Sequence, residues 1–416
     1  MADDTIFRGP PAAMVRNDAE ENHRSVVAET KLGRGTILVL AAACGISVAT
    51  IYFPQAITLL IASDLVVAPQ SAATVVTAAQ LGYALGLFLL VPLGDRLPHR
   101  PLVTTLLMLT AIALLVASQA PTLPILIGAS AVAGLTTVVP QILLPMAAGL
   151  VGHERRGTVT ATLLSGLLAG ILLARTFGGT LGEHLGWRGP YVVAAALIVL
   201  LAVVLIGVIP KTVPTSSQRY PDLVAAAFTL FREEAELRRS CLYQALMFGG
   251  FTAAWTTLAL LLGSPLYGLG GGAVGLVALV GAGSVFVTPM AGRMIDRSGS
   301  DVVNLLCFLG AVAAAGILSI GLFGGAIGLV ALTVGMLILD VAVQCGQAAN
   351  QARIFALRPD ARSRLNTAYM TCAFLGGSMG SWIGVEVFDF WGWVGLCGLI
   401  VLVAVLSLIR HAVYAF

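Results

Sequence analysis

The sequence predicts an all-α integral membrane protein, with twelve transmembrane helices in two pseudo-symmetric six-helix bundles. Three observations lead there. Hydrophobic residues make up 58% of the chain and charged residues only 10%, a balance that a soluble fold of this length has no way to bury. The apolar residues come in regular runs of about 20, the length a helix needs to cross a bilayer and far more than a barrel strand needs. Finally, the pair Asp95-Arg96 recurs as Asp296-Arg297, about half the chain away, each in a short polar loop after the second apolar run of its half. Duplicated halves around a central site are the plan of many secondary transporters. Composition alone also admits a membrane receptor or a channel.

The elements follow in order. Residues 1–34 are polar and mixed in charge, with no basic stretch leading into a short apolar core; they read as a disordered cytoplasmic tail without a cleaved signal peptide. The first bundle occupies 35–210, with spans near 36–60, 71–93, 102–119, 124–151, 157–182 and 189–209. Residues 211–239 form a linker, in which Val224, Phe228 and Phe231 fall at helical spacing against Glu233, Glu234, Glu236, Arg238 and Arg239. That pattern predicts a short amphipathic helix on the membrane surface, either a passive tether or a regulatory element. The second bundle occupies 240–410, with spans near 240–262, 273–292, 302–323, 325–349, 366–387 and 391–410, and a tail at 411–416 closes the chain.

Charge gives the orientation. One set of loops and both tails carry nearly all the Lys and Arg, whereas the opposite loops hold only Arg188. The positive-inside rule then puts both termini in the cytoplasm. Trp187, Trp391 and Trp393 fall at the opposite helix ends, where indoles favour the interface. The net charge of +3 is too small to point to nucleic acid. The six cysteines all lie in apolar runs and read as small core residues. The five histidines lie in loops or tails with no pair at metal-ligand spacing, so no metal site, no cofactor and no enzyme active site is expected. Lys31 and Lys211, the only lysines, are outside any glycine-rich phosphate loop, which removes an ATP-driven pump.

Several stretches carry a resemblance. Tyr52-Phe53-Pro54-Gln55, Gln80-Leu81-Gly82-Tyr83-Ala84-Leu85-Gly86, the paired aspartate-arginine loops and Arg362-Ser363-Arg364-Leu365-Asn366-Thr367-Ala368-Tyr369-Met370 resemble the major facilitator superfamily, near its bacterial drug:proton antiporters. The chain departs from that group in two places. Ala174-Arg175 stands where the fifth helix usually has Gly-Pro, before a retained Gly178-Gly179. The fourth helix has Thr136, Thr137 and Gln141 in place of the arginine many such antiporters use.

The chemistry must lie in the few polar residues held in lipid. Asp340 sits mid-span, where a carboxylate costs about 2.5–3.5 kcal/mol on insertion scales. Asp340, Gln344, Gln347 and Gln351 stack on one helix face; the resemblance makes that helix a wall of the central cavity, with Asp340 as proton carrier. The alternative is a polar seam against a neighbouring helix. Arg175 stays charged at physiological pH; it meets an acidic substrate, Asp340 or a helix-break carbonyl, or it is structural. Gln244, Phe248 and Trp255 on span seven, with Tyr52 and Gln55 on span one, give an aromatic and amide lining for a moderately apolar molecule, and Gln141 joins this substrate set. Gly82 and Gly86 on span two, and Gly376, Gly380 and Gly384 on span eleven, suggest close packing. In the superfamily those two helices face each other across the halves. A conformational latch is expected from Asp95, Arg96, Arg100, Asp296 and Arg297, with Asp95 near the helix start at Asn366-Thr367.

The resulting expectation is a monomeric transporter of the bacterial cytoplasmic membrane that exports a small organic molecule in exchange for protons. Proton-coupled uptake, or uncoupled facilitation of a sugar, amino acid or organic acid, are the alternatives.

Overall fold

A computed structural model describes residues 32–210, 212, 218–281, 283–358 and 361–415. Most of the expected N-terminal tail, part of the linker and residue 416 lie outside the described residues. Proline and glycine set most boundaries. The first span is divided into α1 (Arg34–Ala49) and α2 (Pro54–Asp64), with Pro54 opening the second piece. The second is α3 (Pro69–Leu89), which runs into a 3₁₀ turn at Val91–Asp95. Next come α4 (His99–Ser118), α5 (Leu123–Thr136) with α6 (Val139–Gly149), α7 (His153–Leu185) and α8 (Arg188–Val208). Between the halves lies α9 (Tyr220–Glu233). The second half holds α10 (Ala235–Leu262), α11 (Gly271–Gly281), α12 (Ser284–Ser319), α13 (Gly325–Leu357) and α14 (Arg362–Ala415).

Ten segments among the described residues are long and apolar enough to cross a bilayer. The last of them, Arg362–Val413, is broken at Gly392, where φ is 61°. The short apolar α11 is followed by the first part of α12, which breaks at Gly299, φ 81°. Divided at these points, and with α11 and the first part of α12 taken as one span, the helices among the described residues match the twelve expected spans in order. Only glycine adopts positive φ without steric cost, so these breaks are written in the sequence.

Two spans break side by side. Where span one leaves the helix, the Ser47 carbonyl accepts from Thr50 Oγ1 at 2.8 Å and from Thr137 Oγ1 at 2.7 Å. Thr137 itself stands at the break between α5 and α6. Each break frees backbone groups that lipid cannot satisfy, and the threonines satisfy them across the pair. The consequence is positional: Tyr52 and Gln55 lie at one break and Gln141 just past the other.

The glycine pattern has a different meaning from the one expected. A Cβ on Gly82 or Gly86 would strike the carbonyls of Ala131 and Leu135 on α5, and one on Gly376 or Gly380 would strike Ala245 and Gly249 on α10. These glycines therefore bind each helix into its own bundle rather than forming the seam between bundles. A helix has several faces, and the seam uses another: Thr77 Oγ1 donates to Ser381 Oγ at 3.2 Å, and Ser378 Oγ donates to the Thr77 carbonyl at 3.1 Å. The second seam joins α7 to α11, with Thr176 Oγ1 on the Gly275 carbonyl at 2.9 Å and Gly179 packed on Gly271.

Two tryptophans expected in an interfacial belt are core residues instead. Trp187 donates to Asp64 Oδ2 at 2.8 Å and Trp393 to the Leu318 carbonyl at 2.8 Å, and both are buried. Trp391 is exposed as expected. At the arginine-rich face, Asp301 binds both Arg239 (2.6 Å) and Arg353, and Glu236 lies 3.4 and 3.5 Å from the same two guanidiniums. These pairs staple the start of α10 and the end of α13 to α12 beside its Gly299 break.

Candidate functional site

The centre of the molecule is organised by α7. Its Gly166 and Gly170 pack directly on the α1 backbone at Ala41 and Gly45, and Gly178 packs on Phe53. This close approach carries Arg175, one turn from Gly178, to the break in span one. Arg175 is fully buried, and its Nε donates to Gln55 Oε1 at 2.7 Å. Its guanidinium then leaves its own half. It lies over Trp255 with 4.0 Å to the ring centroid and 5.8 Å from Phe251, both on α10, while Tyr52 is at 5.2 Å. A cation stacked on an indole away from water gains about 2 kcal/mol or more.

The same indole reaches Asp340. Trp255 Nε1 donates to Asp340 Oδ1 at 3.4 Å. Asp340 is 1% exposed, and its Oδ2 faces Gly281 at the end of α11 with no hydrogen-bond partner among the described residues. Arg175 Nη1 and Nη2 likewise have none. The guanidinium and the carboxylate interact electrostatically but do not form a contact ion pair. Gln55, Arg175, Trp255 and Asp340 thus form one buried cluster with two members from each half. An unpaired buried charge costs several kcal/mol, so the cluster depends on its opposite charges staying together.

A cavity of about 40 Å³ adjoins this cluster. Tyr52, Gln141, Gln244, Phe248, Gln344 and Gln347 line it, as do Phe251 and Phe374. Tyr52 and Phe251 both face the cavity and flank the Arg175 guanidinium. Gln55, Arg175, Trp255 and Asp340 stand behind that aromatic wall rather than on the lining. Gln244 Nε2 donates to Gln347 Oε1 at 3.4 Å. Beyond it, Gln351 donates to Asn366 at 3.3 Å and Asn366 donates to Gln141 at 3.3 Å, which closes an amide chain across the halves. Phe251 belongs with Gln244, Phe248 and Trp255 on one face of α10, and its place in that spacing was the available signal. Tyr83 and Phe374, which pack 4.4 Å apart between centroids from opposite halves, had no such signal.

The loop residues separate. Asp95 is half-buried beside Ser363, Arg364 and Thr367 at the start of α14, in a pocket also lined by α9. Arg96 is exposed and Arg100 half-buried. Asp296 and Arg297, the second copy, are both exposed. The two copies are alike in sequence and unlike in surroundings.

Comparison with known proteins agrees with this architecture. The family model described as Major Facilitator Superfamily matches residues 36–381. The chain is 36% identical to a protein named putative uncharacterized transporter YgaY of Escherichia coli K12, over 88% of this chain and 92% of that one. It is 36% identical to probable transporter SCO4007 of Streptomyces coelicolor, over 86% and 83%. A chloramphenicol resistance protein of Streptomyces lividans is 28% identical over 58% of this chain and 62% of its own. Among solved structures, the nucleoside transporter NupG superposes with a TM-score of 0.69 at 14% identity, over 91% of this chain and 99% of that one. A bacterial homologue of the human lysosomal transporter Spinster gives 0.66 at 14% identity, over 91% and 95%. These structural likenesses show the fold alone. With the family model covering most of the chain, two relatives aligned nearly end to end and a central cluster built from both halves, the protein is a membrane transporter of the major facilitator superfamily.

Proposed function

We propose that the protein exports a small organic molecule by alternating access in exchange for protons, with its arginine-rich face and both termini on the cytoplasmic side of a bacterial inner membrane. The observation that carries the reading is the buried cluster. Ionised Asp340 on one half balances Arg175 on the other, so the charge on Asp340 sets how strongly the halves attract. A proton on Asp340 removes that attraction; loss of the proton restores it. A titratable group whose two states favour different arrangements of the halves is what coupling requires. The adjoining cavity, aromatic with a few amides, suits a moderately apolar organic molecule. Export is supported by the names of two relatives at lower identity, the chloramphenicol resistance protein and a multidrug resistance protein D of Escherichia coli.

One observation favours a second reading. Among the described residues, Nη1 and Nη2 of Arg175 are buried without a hydrogen-bond partner, a geometry that accepts a carboxylate through two N–H groups. An anion there would repel ionised Asp340 and favour its protonated form, so substrate and proton would move together and uptake would be the direction. Proteoliposomes with an imposed pH gradient separate the readings. Under exchange, a labelled substrate moves against the proton flow; under co-transport it moves with it. In either case Asp340→Asn should abolish gradient-driven flux. Full flux in a folded Asp340→Asn protein would remove Asp340 as the proton carrier.

A further inference from the structure

A second duplicated motif accompanies the aspartate-arginine loops. Glu183-His184-Leu185-Gly186-Trp187-Arg188-Gly189 and Asp389-Phe390-Trp391-Gly392-Trp393-Val394-Gly395 share an acid, a glycine, a tryptophan and a second glycine in register. They occupy corresponding places, at the ends of the fifth and eleventh spans on the arginine-poor face. The structure treats the copies alike. Gly186 and Gly392 both have positive φ, 71° and 61°, and turn the chain into the next span. Trp187 and Trp393 are 3% and 2% exposed and anchor that turn.

The acids also behave alike, and each reaches across to the other half. Glu183 Oε1 accepts the backbone N–H of Gly272, in the first turn of α11, at 2.7 Å. A side chain at Gly270 or Gly272 would collide with the Glu183 carboxylate, so the glycine run before α11 admits it. Asp389 Oδ1 accepts from Gln70 Nε2, in the first turn of α3, at 2.6 Å. Each contact caps the arginine-poor end of one of the two seams, α7 with α11 and α14 with α3. Helix starts carry partial positive charge, which suits both carboxylates.

We propose that Glu183 and Asp389 are two copies of one clasp that holds the arginine-poor face shut, and that the cavity opens to that face only after both let go. Both acids are solvent-exposed, so each is a weak, quickly released contact rather than a lock. A carboxylate at a helix start shifts a two-state ratio roughly two- to fivefold. Two of them multiply to the order of tenfold.

The test uses the full-length protein in nanodiscs, with its native cysteines replaced and spin labels at Gln119→Cys and Phe323→Cys, exposed positions on opposite halves at the arginine-poor face. Glu183→Ala and Asp389→Ala should each raise the long-distance population about two- to fivefold relative to the short one, and the double variant by about the product. Glu183→Gln and Gln70→Ala are milder and should shift the populations in the same direction if the alanine variants do not fold. An unchanged distribution in the folded double variant overturns the clasp. A shift with one copy and none with the other overturns the duplicated role. The readout is conformational and needs no substrate, so it stands or falls separately from the role of Asp340.

Discussion

Asp340→Asn and Arg175→Gln should be coupled, and unequal in cost. In Asp340→Asn the Arg175 guanidinium keeps its stacking on Trp255 and its bond to Gln55 but loses the carboxylate that acts on it from the other half. Arginine cannot shed its proton to escape, and stranding one member of a buried charge pair costs about 3–5 kcal/mol. In Arg175→Gln the stranded member is Asp340, which can neutralise itself by taking up a proton. That variant also gives up roughly 2 kcal/mol of cation–π attraction, offset by the relief of guanidinium desolvation. Asp340→Asn is therefore the more destabilising single change. The double variant strands nothing, so it should be more stable than the two single effects added together by about 1–3 kcal/mol. Thermal unfolding of the four purified proteins in one detergent, with denaturant titration for the free energies, measures the cycle. Strict additivity would refute the idea that the two charges hold each other across the halves, and a larger loss in Arg175→Gln would refute the asymmetry.

Two further outcomes follow from the packing. Asp95→Asn should raise the population open at the arginine-rich face by up to about tenfold, whereas Asp296→Asn should change it little, because Asp95 is half-buried at the start of α14 and Asp296 is exposed; spin-label distances across that face would report it. Gly380→Ala should destabilise the second bundle by about 1–3 kcal/mol, since its Cβ would overlap the Gly249 backbone, while Gly316→Ala, with nothing within 4 Å of the added carbon, should be neutral or stabilising by up to about 1 kcal/mol; unfolding curves of the two variants check the contrast.

Much of the protein was legible in the residues. Run length and spacing gave the class and the crossings, because a bilayer demands about 20 apolar residues per helix. The breaks at Gly299 and Gly392 fall between spans that run length already separates, 273–292 from 302–323 and 366–387 from 391–410. Mid-span Asp340 and Arg175 stood out because lipid penalises charge wherever the chain folds. What the sequence could not show is which helix face meets which neighbour. Gly82, Gly86, Gly376 and Gly380 looked like a seam between halves, and each turned out to bind its helix into its own bundle. Trp187 and Trp393 looked interfacial and are buried. The Asp95 and Asp296 loops share a motif, yet only the first meets the start of α14.

The cluster itself is the clearest case. Gln55, Arg175, Trp255 and Asp340 are scattered over four spans, one on each, so spacing along a helix relates none of them. Their meeting depends on α7 approaching α1 closely enough for glycine backbones to touch, and on span one breaking at Pro54 where Arg175 arrives. Periodicity and composition are properties of one segment and can be read along the chain. Contacts between halves depend on the rotation and depth of helices far apart in sequence, which packing alone decides.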